Sequence, residues 1–465
     1  KVINEAVPYT IDERAISKSN LNVNRRTGNL ILALNSAQSI GCNIENIGND
    51  DLSEGRSHAV LRLVWQIIKV GLFREINIDI HPGIIAIGDE SETINDLLRL
   101  SPEDILVRWF NYHLERAGSK HRRIRNFTTD IQDSEAYSYL IEQIAPKESG
   151  VNSSIPLSTL NIRTISSLIQ KEPDLHQRAE KMLLEAEKFD CRAFVSPGDV
   201  VKGNYKLNMA FVANLFNTYP ALEPITNPII VDGILEETRE EKTYRNWMNS
   251  LGVQPYVHYL YSDLNDGLVI LKIYDIIQPG CVDWKRVVTN FSERLENCNY
   301  CVELGSQLKL TLVGIHGQDI MEGNAFVWQL MRAYTLSILN KLSHEDRQFT
   351  DADIINWANA KLKECEKNSS FTSFEDKTLS DGRTIINLID CVKVGSINYD
   401  FLQNATTDEA RLSNARYAIS MARKAGAEVY ALPEDIVDVK PKMMMTIFAC
   451  LMIKDLGPQQ KQNGE

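Results

Sequence analysis

The chain has 465 residues, of which 43% are hydrophobic and 24% are charged, an ordinary globular composition that can build packed cores. It carries 62 acidic against 50 basic residues, for a formal net charge of −12. This balance argues against a general nucleic-acid binder, because such proteins neutralise phosphates with a basic face. No signal peptide or lipidation motif is visible, and the opening KVINEAVP leads us to expect a preceding part of the protein.

A short motif built around an aspartate recurs four times and organises the chain. The copies read DLSEG, DVVKG, DIMEG and DIVDV, beginning at Asp51, Asp199, Asp319 and Asp435. They lie more than about 100 residues apart, a period too long for a solenoid and suited to a repeated small domain. The repeat therefore predicts four units, although length alone suggests roughly three domains.

The local chemistry of this motif predicts a one-turn helix followed by a long buried one. We expect the aspartate to be the N-cap, with Glu54 and Glu322 completing capping boxes in the first and third copies. Three copies place a glycine where the turn needs a left-handed residue, and the fourth has Val439 there: Gly55, Gly203 and Gly323. The following stretches AVLRLVW, LNMAFVANLF, AFVWQLM and MMMTIFACLMI are apolar nearly all round, as in the centre of a helical domain. None reaches the roughly 18 apolar residues of a membrane span.

An amphipathic helix with a tryptophan precedes three of the four motifs. The residues are Trp109, Trp247 and Trp357, and their spacing favours a core position over a surface hot spot. The first unit lacks this helix because the chain begins too late. A second helix follows each tryptophan helix, in SEAYSYLIEQIAP, LNDGLVILKIYDIIQPG and LSDGRTIINLIDCV. Trp65, in the first buried helix, remains open between a core role and a contact role.

These elements predict an all-α fold of four helical units in two pairs, since alternating strand patterns are scarce. The units span 1–75, which is N-terminally incomplete, 100–220, 238–343 and 348–458. Residues 76–100, with HPG and GDESE, suggest a surface connection. Pro220, Pro224 and Pro228 mark a linker between the two pairs.

Chemistry-bearing motifs are few. Cys298 and Cys301 form the one CxxC of the eight cysteines, and reduced thiols on a packed helix are favoured over a metal or redox site. The chain contains no HExxH, Walker A, GxGxxG or GxSxG pattern, so nothing argues for an enzyme, a cofactor or a metal.

One basic run stands out in an acidic chain, SKHRRIRNF, with Lys120, Arg122, Arg123 and Arg125. It could attach electrostatically to an acidic filament or to a phosphoinositide head group. It could also be a solvated loop after a helix C-terminus, where cations suit the helix dipole.

Together, the tryptophan helix, the DG-bearing helix and the aspartate turn before a buried helix resemble the calponin-homology domain. Four copies in two pairs resemble the actin-binding core of the fimbrin (plastin) family, and stretches such as TIDERAI and NFTTDIQDSEAYSYLIEQIAP are similar to it in detail. The resemblance implies two actin-binding domains in one chain, hence crosslinking of filamentous actin into tight bundles. It also implies calcium-binding EF-hands upstream, although no D-x-[DN]-x-[DN]-G loop occurs in this stretch.

The resemblance further implies which residues contact actin. In the first pair they are Arg56, His58, Arg62, Trp65 and Lys69, with Arg108, His113 and Arg116 from the partner helix; in the second pair they are Lys242, Arg245, Gln329 and Arg332. It implies a cytoplasmic, cytoskeletal protein that we expect to be monomeric and not to bind nucleic acid. The alternatives are an adaptor that decorates a single filament and, from another class, an enzyme on a helical scaffold.

Overall fold

The described residues of the computed structural model form helices and turns, and none of them lies in a β-strand. They are residues 1–78, 80–89, 92–98, 100–118, 123–146, 165–222, 237–310, 312, 314–322, 326–343 and 349–457. Over this part of the chain the prediction of an all-α fold is confirmed. No described helix is long and apolar enough to cross a membrane. Contacts divide the chain into two compact units, Lys1–Val70 with Glu237–Glu465, and Gly71–Glu236.

The first predicted domain contributes four helices, and its long final helix is only half buried. The helices are α1 (Val2–Ala6), α2 (Val23–Ser39), α3 (Asn49–Ser53) and α4 (Ser57–Phe73). On α4, Ala59, Leu63 and Ile67 are buried, whereas Leu61 is 66% exposed and Trp65 is partly exposed. The expectation of a helix buried nearly all round is therefore wrong for this copy.

The second unit contains seven described α-helices. They are α5 (Ile94–Leu98), α6 (Pro102–Arg116), α7 (Glu135–Ile144), α8 (Ile165–Gln170), α9 (Leu175–Glu187), α10 (Pro197–Lys202) and α11 (Tyr205–Thr218). Most of α11 is buried, as predicted. Residues 76–100 are not a mere surface connection, because α5 and a 3-10 helix (Pro82–Ile87) bury Ile84, Ile87 and Leu97.

The remaining two predicted domains complete the first unit with eleven described α-helices. They are α12 (Arg239–Ser250), α13 (Leu260–Asp263), α14 (Leu268–Ile277), α15 (Arg294–Gln307), α16 (Gly317–Met321), α17 (Val327–Ser343), α18 (Asp351–Glu364), α19 (Arg383–Val392), α20 (Asp408–Ala425), α21 (Pro433–Val437) and α22 (Pro441–Leu456). Thr238 and Thr350 start α12 and α18 with capping boxes. Helix α22 buries nine residues, among them Met444 and Phe448.

The three tryptophan helices pack against the last long helix of their own domain: α6 on α11, α12 on α17 and α18 on α22. Trp109 and Trp247 are buried, which confirms their predicted core role. Trp357 is only partly buried, and its Nε1 donates to the Asp455 carboxylate at 3.1 Å. The predicted core position is thus confirmed in full for Trp109 and Trp247 and only in part for Trp357.

Each repeated aspartate is the third residue of its one-turn helix and not the N-cap. Its Oδ2 accepts the backbone N–H of the residue three positions earlier, at 2.7–3.0 Å; the donors are Gly48, Ser196, His316 and Leu432. The predicted N-cap assignment, and the boxes with Glu54 and Glu322, are therefore wrong by three residues. The aspartate still has a capping role, because its carboxylate satisfies an orphan donor at a helix start.

The end of this turn is left-handed, as predicted, in the three copies that the structure describes there. Gly55 and Gly203 have φ values of 66° and 64°, and Val439 takes the same conformation with φ of 52°. The residue after each donates its N–H to the carbonyl of the aspartate at 2.9 Å. A β-branched residue is strained in this region, and burial of the Val439 side chain offsets that cost. Gly323 lies outside the described residues.

An asparagine two positions after each tryptophan fastens the loop that follows, which the sequence analysis missed. Its Oδ1 accepts from, and its Nδ2 donates to, the backbone of one loop residue at 2.8–3.2 Å. The pairs are Asn111 with Ile124, Asn249 with Val257 and Asn359 with Phe371. The W-x-N spacing of the three copies was the available signal.

Within the first unit, α2 of the first predicted domain packs against α20 of the fourth and α12 of the third. Arg423 on α20 is buried and donates from Nη1 to the Thr10 carbonyl at 3.0 Å. Lys424 donates to the Ala15 carbonyl at 2.6 Å. Both cations reach backbone carbonyls of the segment before α2, and Asn35 of α2 donates to the Arg423 carbonyl at 2.9 Å, so neutral acceptors and not carboxylates meet α20 in these contacts.

Candidate functional site

The predicted contact residues at the start of α4 are exposed, but their charges differ in availability. Arg56 pairs with Asp51 at 2.6 Å and with Glu54 at 2.8 Å. This guanidinium, together with the Gly48 N–H, lowers the pKa of Asp51, the backbone hydrogen bond being the larger cause. His58 and Arg62 are exposed. Arg56 therefore already has carboxylate partners within its own turn, and Arg62 is the more available cation.

The exposed side of α4 carries an apolar residue that the sequence analysis missed. Leu61 is 66% exposed, next to Arg62 and one turn from Trp65. Trp65 is partly exposed, so part of its side chain is available at this surface. An exposed leucine beside an arginine and a tryptophan is typical of a binding surface, in which apolar anchors are bordered by charge.

Residues predicted for two different actin surfaces meet around His258. The Lys69 Nζ lies 5.4 Å from the centre of the Tyr256 ring, and that ring packs on His258 at 4.9 Å. Burial, helped by the positive charges of Lys69 and Arg245, lowers the pKa of His258 to about 3. Lys69, from the first predicted domain, and Arg245, from the third, are thus brought together at one seam inside the first unit.

The two arginines predicted for the second pair are each paired with a carboxylate. Arg245 forms a bidentate pair with Glu237, at 2.6 and 2.8 Å, and Arg332 pairs with Asp351 at 2.6 Å. The Glu237 carboxylate raises the pKa of Arg245 against the opposing effect of burial, which is the largest single cause.

The other two second-pair residues, Lys242 on α12 and Gln329 on α17, are both partly buried. A partly buried side chain can still touch a partner with its tip. We therefore keep both as predicted contacts.

The helix α6 presents only part of its predicted surface. His113 is 2% exposed, its Nε2 lies 3.2 Å from the Pro220 carbonyl, and burial lowers its pKa to about 4. His113 cannot reach a filament from this position, so its predicted contact role is wrong. Arg108 is bound in a bidentate pair to Glu92 at 2.5 and 2.9 Å. Arg116 is exposed and donates to the Tyr112 hydroxyl at 2.8 Å.

Half of the predicted basic patch lies in the described part of the chain. Lys120 and Arg122 lie outside the described residues. Arg123 and Arg125 are exposed, and Arg123 is 3.6 Å from Glu115 across a loose ion pair. Such an exposed pair contributes little to stability, which leaves the charge available to a partner.

The CxxC cysteines lie on α15 and are buried and reduced, as predicted. Their thiols donate to the carbonyls of Asn265 and Gly267 at 3.3 and 3.4 Å. Burial raises the pKa of Cys298 to about 11, so its thiol is protonated at neutral pH. Among the described residues, no group of three or more His, Cys, Asp or Glu could hold a metal ion.

Comparison with known proteins shows the family to which this chain belongs. The sequence model of the calponin homology (CH) domain matches residues 1–72, 100–221, 238–340 and 350–455. Fimbrin of Dictyostelium discoideum is 49% identical over 97% of this chain and 73% of its own length, and plastin-3 of Rattus norvegicus is 51% identical over 97% and 72%. The chain belongs to the fimbrin (plastin) family of calponin-homology proteins. The resemblance inferred from the repeated residues is confirmed.

A solved fimbrin structure supports the same conclusion at the level of the fold. The crystal structure of the actin-crosslinking core of Schizosaccharomyces pombe fimbrin matches with a TM-score of 0.79 and 38% sequence identity, covering 97% of this chain and 90% of that one. Each of the four matched calponin-homology segments contains one of the repeated aspartate turns. The four-domain, all-α architecture of the fimbrin family is therefore the architecture of this chain.

Proposed function

We propose that this chain binds actin filaments and crosslinks them into tight bundles through two actin-binding surfaces, one on each pair of calponin-homology domains. The observation that carries the proposal is the match over 97% of the chain to an actin-crosslinking core and to fimbrin and plastin. We take the domains as residues 1–75, 100–220, 238–343 and 348–458, paired first with second and third with fourth.

The first surface is centred on Leu61, Arg62 and Trp65 of α4, with His58 beside them. These side chains combine exposed apolar area with a cation, which suits attachment to an acidic filament better than charge alone. Exposed charges at the rim then set the association rate and the salt dependence. Arg116 on α6 stays a predicted contact of the first pair.

The second surface uses Lys242 and Gln329, with Arg245 and Arg332 as paired neighbours. Binding through the two arginines would have to replace a carboxylate of this chain by one of the filament. Such an exchange gains little energy, although it can fix orientation.

Two surfaces on one chain produce bundling by raising the effective concentration of the second site. Once one surface has docked, the other samples a neighbouring filament within the reach of the chain and needs no second diffusional encounter. This chain has a net charge of −12, so long-range attraction to an acidic filament would not assist, and the contacts themselves supply the affinity.

Charge reversal in the intact chain tests the division of labour. Arg62→Glu alters the first surface and Lys242→Glu the second, while Lys171→Glu makes the same charge change at an exposed position outside both. Each of the first two variants is expected to bind filaments in high-speed sedimentation but to lose low-speed pelleting of bundles. The double variant is expected to lose both, and Lys171→Glu neither.

The same set separates this proposal from its rivals. For an adaptor that decorates one filament, one of the two single variants abolishes all binding and the other changes nothing. If neither variant nor their combination weakens binding by about tenfold, these surfaces are not the contacts. An enzyme on this scaffold would be independent of filaments altogether, and no motif or cluster in the described residues favours one.

Further proposals rest on the family and on local charge. The basic run at Lys120, Arg122, Arg123 and Arg125 is proposed as an accessory contact for actin or for a phosphoinositide head group. The chain is proposed to act as a monomer on cytoplasmic actin bundles without a cofactor of its own, and any calcium control is assigned to EF-hands upstream. Vesicles with and without phosphatidylinositol bisphosphate, tested against Arg123→Glu with Arg125→Glu, check the lipid contact.

A further inference from the structure

A partly enclosed cavity of about 170 Å³ lies between the third and fourth domains, within the first unit. Four segments line it: α12, α17, the loop after α20 and α22. Its walls are largely apolar and include Met331, Ile338 and Ile453. Cavities of roughly 150 Å³ with apolar walls are known to take up benzene, so this space suits a single aromatic ring or a little more.

Most polar groups in the cavity wall are already satisfied. The hydroxyls of Thr335 and Thr446 donate to backbone carbonyls of their own helices at 2.9 and 2.7 Å. The Tyr430 hydroxyl shares a hydrogen bond of 2.7 Å with Ser250. The Glu428 carboxylate also lines the cavity and accepts from the Gln38 Nε2 at 3.1 Å. A ligand therefore gains little from these groups, and an anion in particular would lose its hydration without compensation.

The exception is the indole of Trp247. Among the described residues that line the cavity, it alone has a buried side-chain nitrogen or oxygen, Nε1, without a hydrogen-bond partner. The equivalent tryptophans are both paired: Trp109 Nε1 donates to the Pro220 carbonyl at 2.7 Å, and Trp357 Nε1 to Asp455 at 3.1 Å. In both domains the acceptor comes from the end of the last long helix or from the residues just after it. In the third domain no described residue pairs with the Trp247 Nε1, although burial of an unpaired donor is costly.

We propose that this cavity binds a small, uncharged aromatic molecule whose single hydrogen-bond acceptor takes the Trp247 N–H. The volume sets the size at one ring or a little more, the largely apolar walls favour an uncharged molecule, and the unpaired indole selects for the acceptor. Because α17 and α22 pack together beside the cavity, a bound ligand stiffens the contact between the third and fourth domains. The inference does not depend on actin binding.

The test compares pyridine with benzene, which share a shape and differ in the acceptor. Indole N–H resonances of the six tryptophans are followed in the intact chain, and Trp247→Phe assigns the signal of interest. Pyridine is expected to move the Trp247 signal and to bind several-fold more tightly than benzene. In Trp247→Phe that preference is expected to disappear while benzene binding remains.

A cavity-filling variant keeps the test decisive if Trp247→Phe folds poorly. Ile338→Phe adds volume at the cavity wall and is expected to abolish binding of both probes. Leu336→Phe, on the same helix but outside the cavity lining, is expected to leave both unchanged. The proposal is overturned if pyridine and benzene bind equally well, if neither binds, or if Ile338→Phe has no effect on them.

Discussion

Asp435 is the one copy of the repeated aspartate that is expected to destabilise the folded protein at neutral pH. All four copies accept a backbone N–H at a helix start, but Asp435 is 1% exposed. Burial raises its pKa from 3.8 to about 6, against the lowering effects of the Leu432 N–H and the Arg239 charge. We therefore expect Asp435→Asn, which keeps an acceptor for Leu432, to stabilise the fourth domain.

The size of the expected stabilisation follows from the rise of the Asp435 pKa from 3.8 to about 6. At roughly 1.4 kcal/mol per unit, ionising Asp435 in the folded state costs about 3 kcal/mol relative to the unfolded chain. The asparagine must place its own N–H₂ group and loses the attraction of Arg239, so a net gain of about 1–3 kcal/mol at pH 7 is expected.

The sign of the pH dependence is fixed by the direction of the shift. Below about pH 4 the Asp435 carboxyl is protonated in both states, and it costs nothing. Between about pH 4 and pH 6 the unfolded chain releases the proton first, so the stability of the parent protein falls as pH rises. Above about pH 6 the penalty is constant. The advantage of Asp435→Asn therefore grows from pH 4 to pH 6 and is flat thereafter.

Amide hydrogen exchange on α22 and α11 measures the change in local stability without assuming that four domains unfold together. Asp199→Asn is the matched control, because hydrogen bonds from the Ser196 hydroxyl and backbone lower the pKa of Asp199. That control is expected to reduce the protection of α11 by about 0.5–1 kcal/mol. The reasoning is refuted if Asp435→Asn also reduces protection of α22 at pH 7, or if its effect is the same at pH 4 and pH 7.

Two further predictions concern local backbone geometry. Gly55→Ala and Gly203→Ala impose the same left-handed strain, of about 1 kcal/mol. They differ in the space around the new Cβ. At Gly203 it would lie 2.7 Å from the Thr128 carbonyl oxygen, whereas at Gly55 it would meet nothing within 4 Å. Urea unfolding should therefore show a clearly larger loss for Gly203→Ala, and equal losses would contradict the steric argument. Asn249→Ala removes both hydrogen bonds to Val257 in a buried site and is expected to cost about 2–4 kcal/mol, seen as faster exchange of the Val257 amide; unchanged exchange there would show that the loop holds without this asparagine.

The repeated pattern predicted the fold class and most of the core because it depends on local rules. Helix periodicity, a terminal carboxylate and a left-handed residue are all encoded within a few positions. The aspartate was nevertheless placed at the wrong position of its turn, since Gly48 and Leu432 carry no capping side chain that would mark the start. The boundary of a one-turn helix is where sequence signals are weakest.

The burial of His113 could have been predicted from its spacing to Trp109. It lies four residues after Trp109 on α6, which places both on one face of the helix. A buried tryptophan therefore implied a buried histidine, and its assignment to a surface by resemblance ignored that geometry.

The packing of α2 against α20 was not predictable in this way. It joins residues 388 positions apart, for example through the hydrogen bond that the Asn35 Nδ2 donates to the Arg423 carbonyl. Such contacts have no periodic signature in the sequence, because any exposed polar residue can make them.

Whether the predicted cations are already paired within this chain decides how much they can contribute to the affinity for a filament. Arg56, Arg108, Arg245 and Arg332 each already pair with a carboxylate of this chain. Transferring such a cation to a filament exchanges one ion pair for another, so it contributes orientation and salt dependence more than free energy. The exposed Leu61 of α4 faces no such exchange, because contact there removes apolar surface from water at about 25 cal/mol per Å². We therefore expect truncation of Leu61 to weaken filament binding more than loss of any paired arginine, which places the energetic centre of the first surface on a residue that charge-based reasoning passes over.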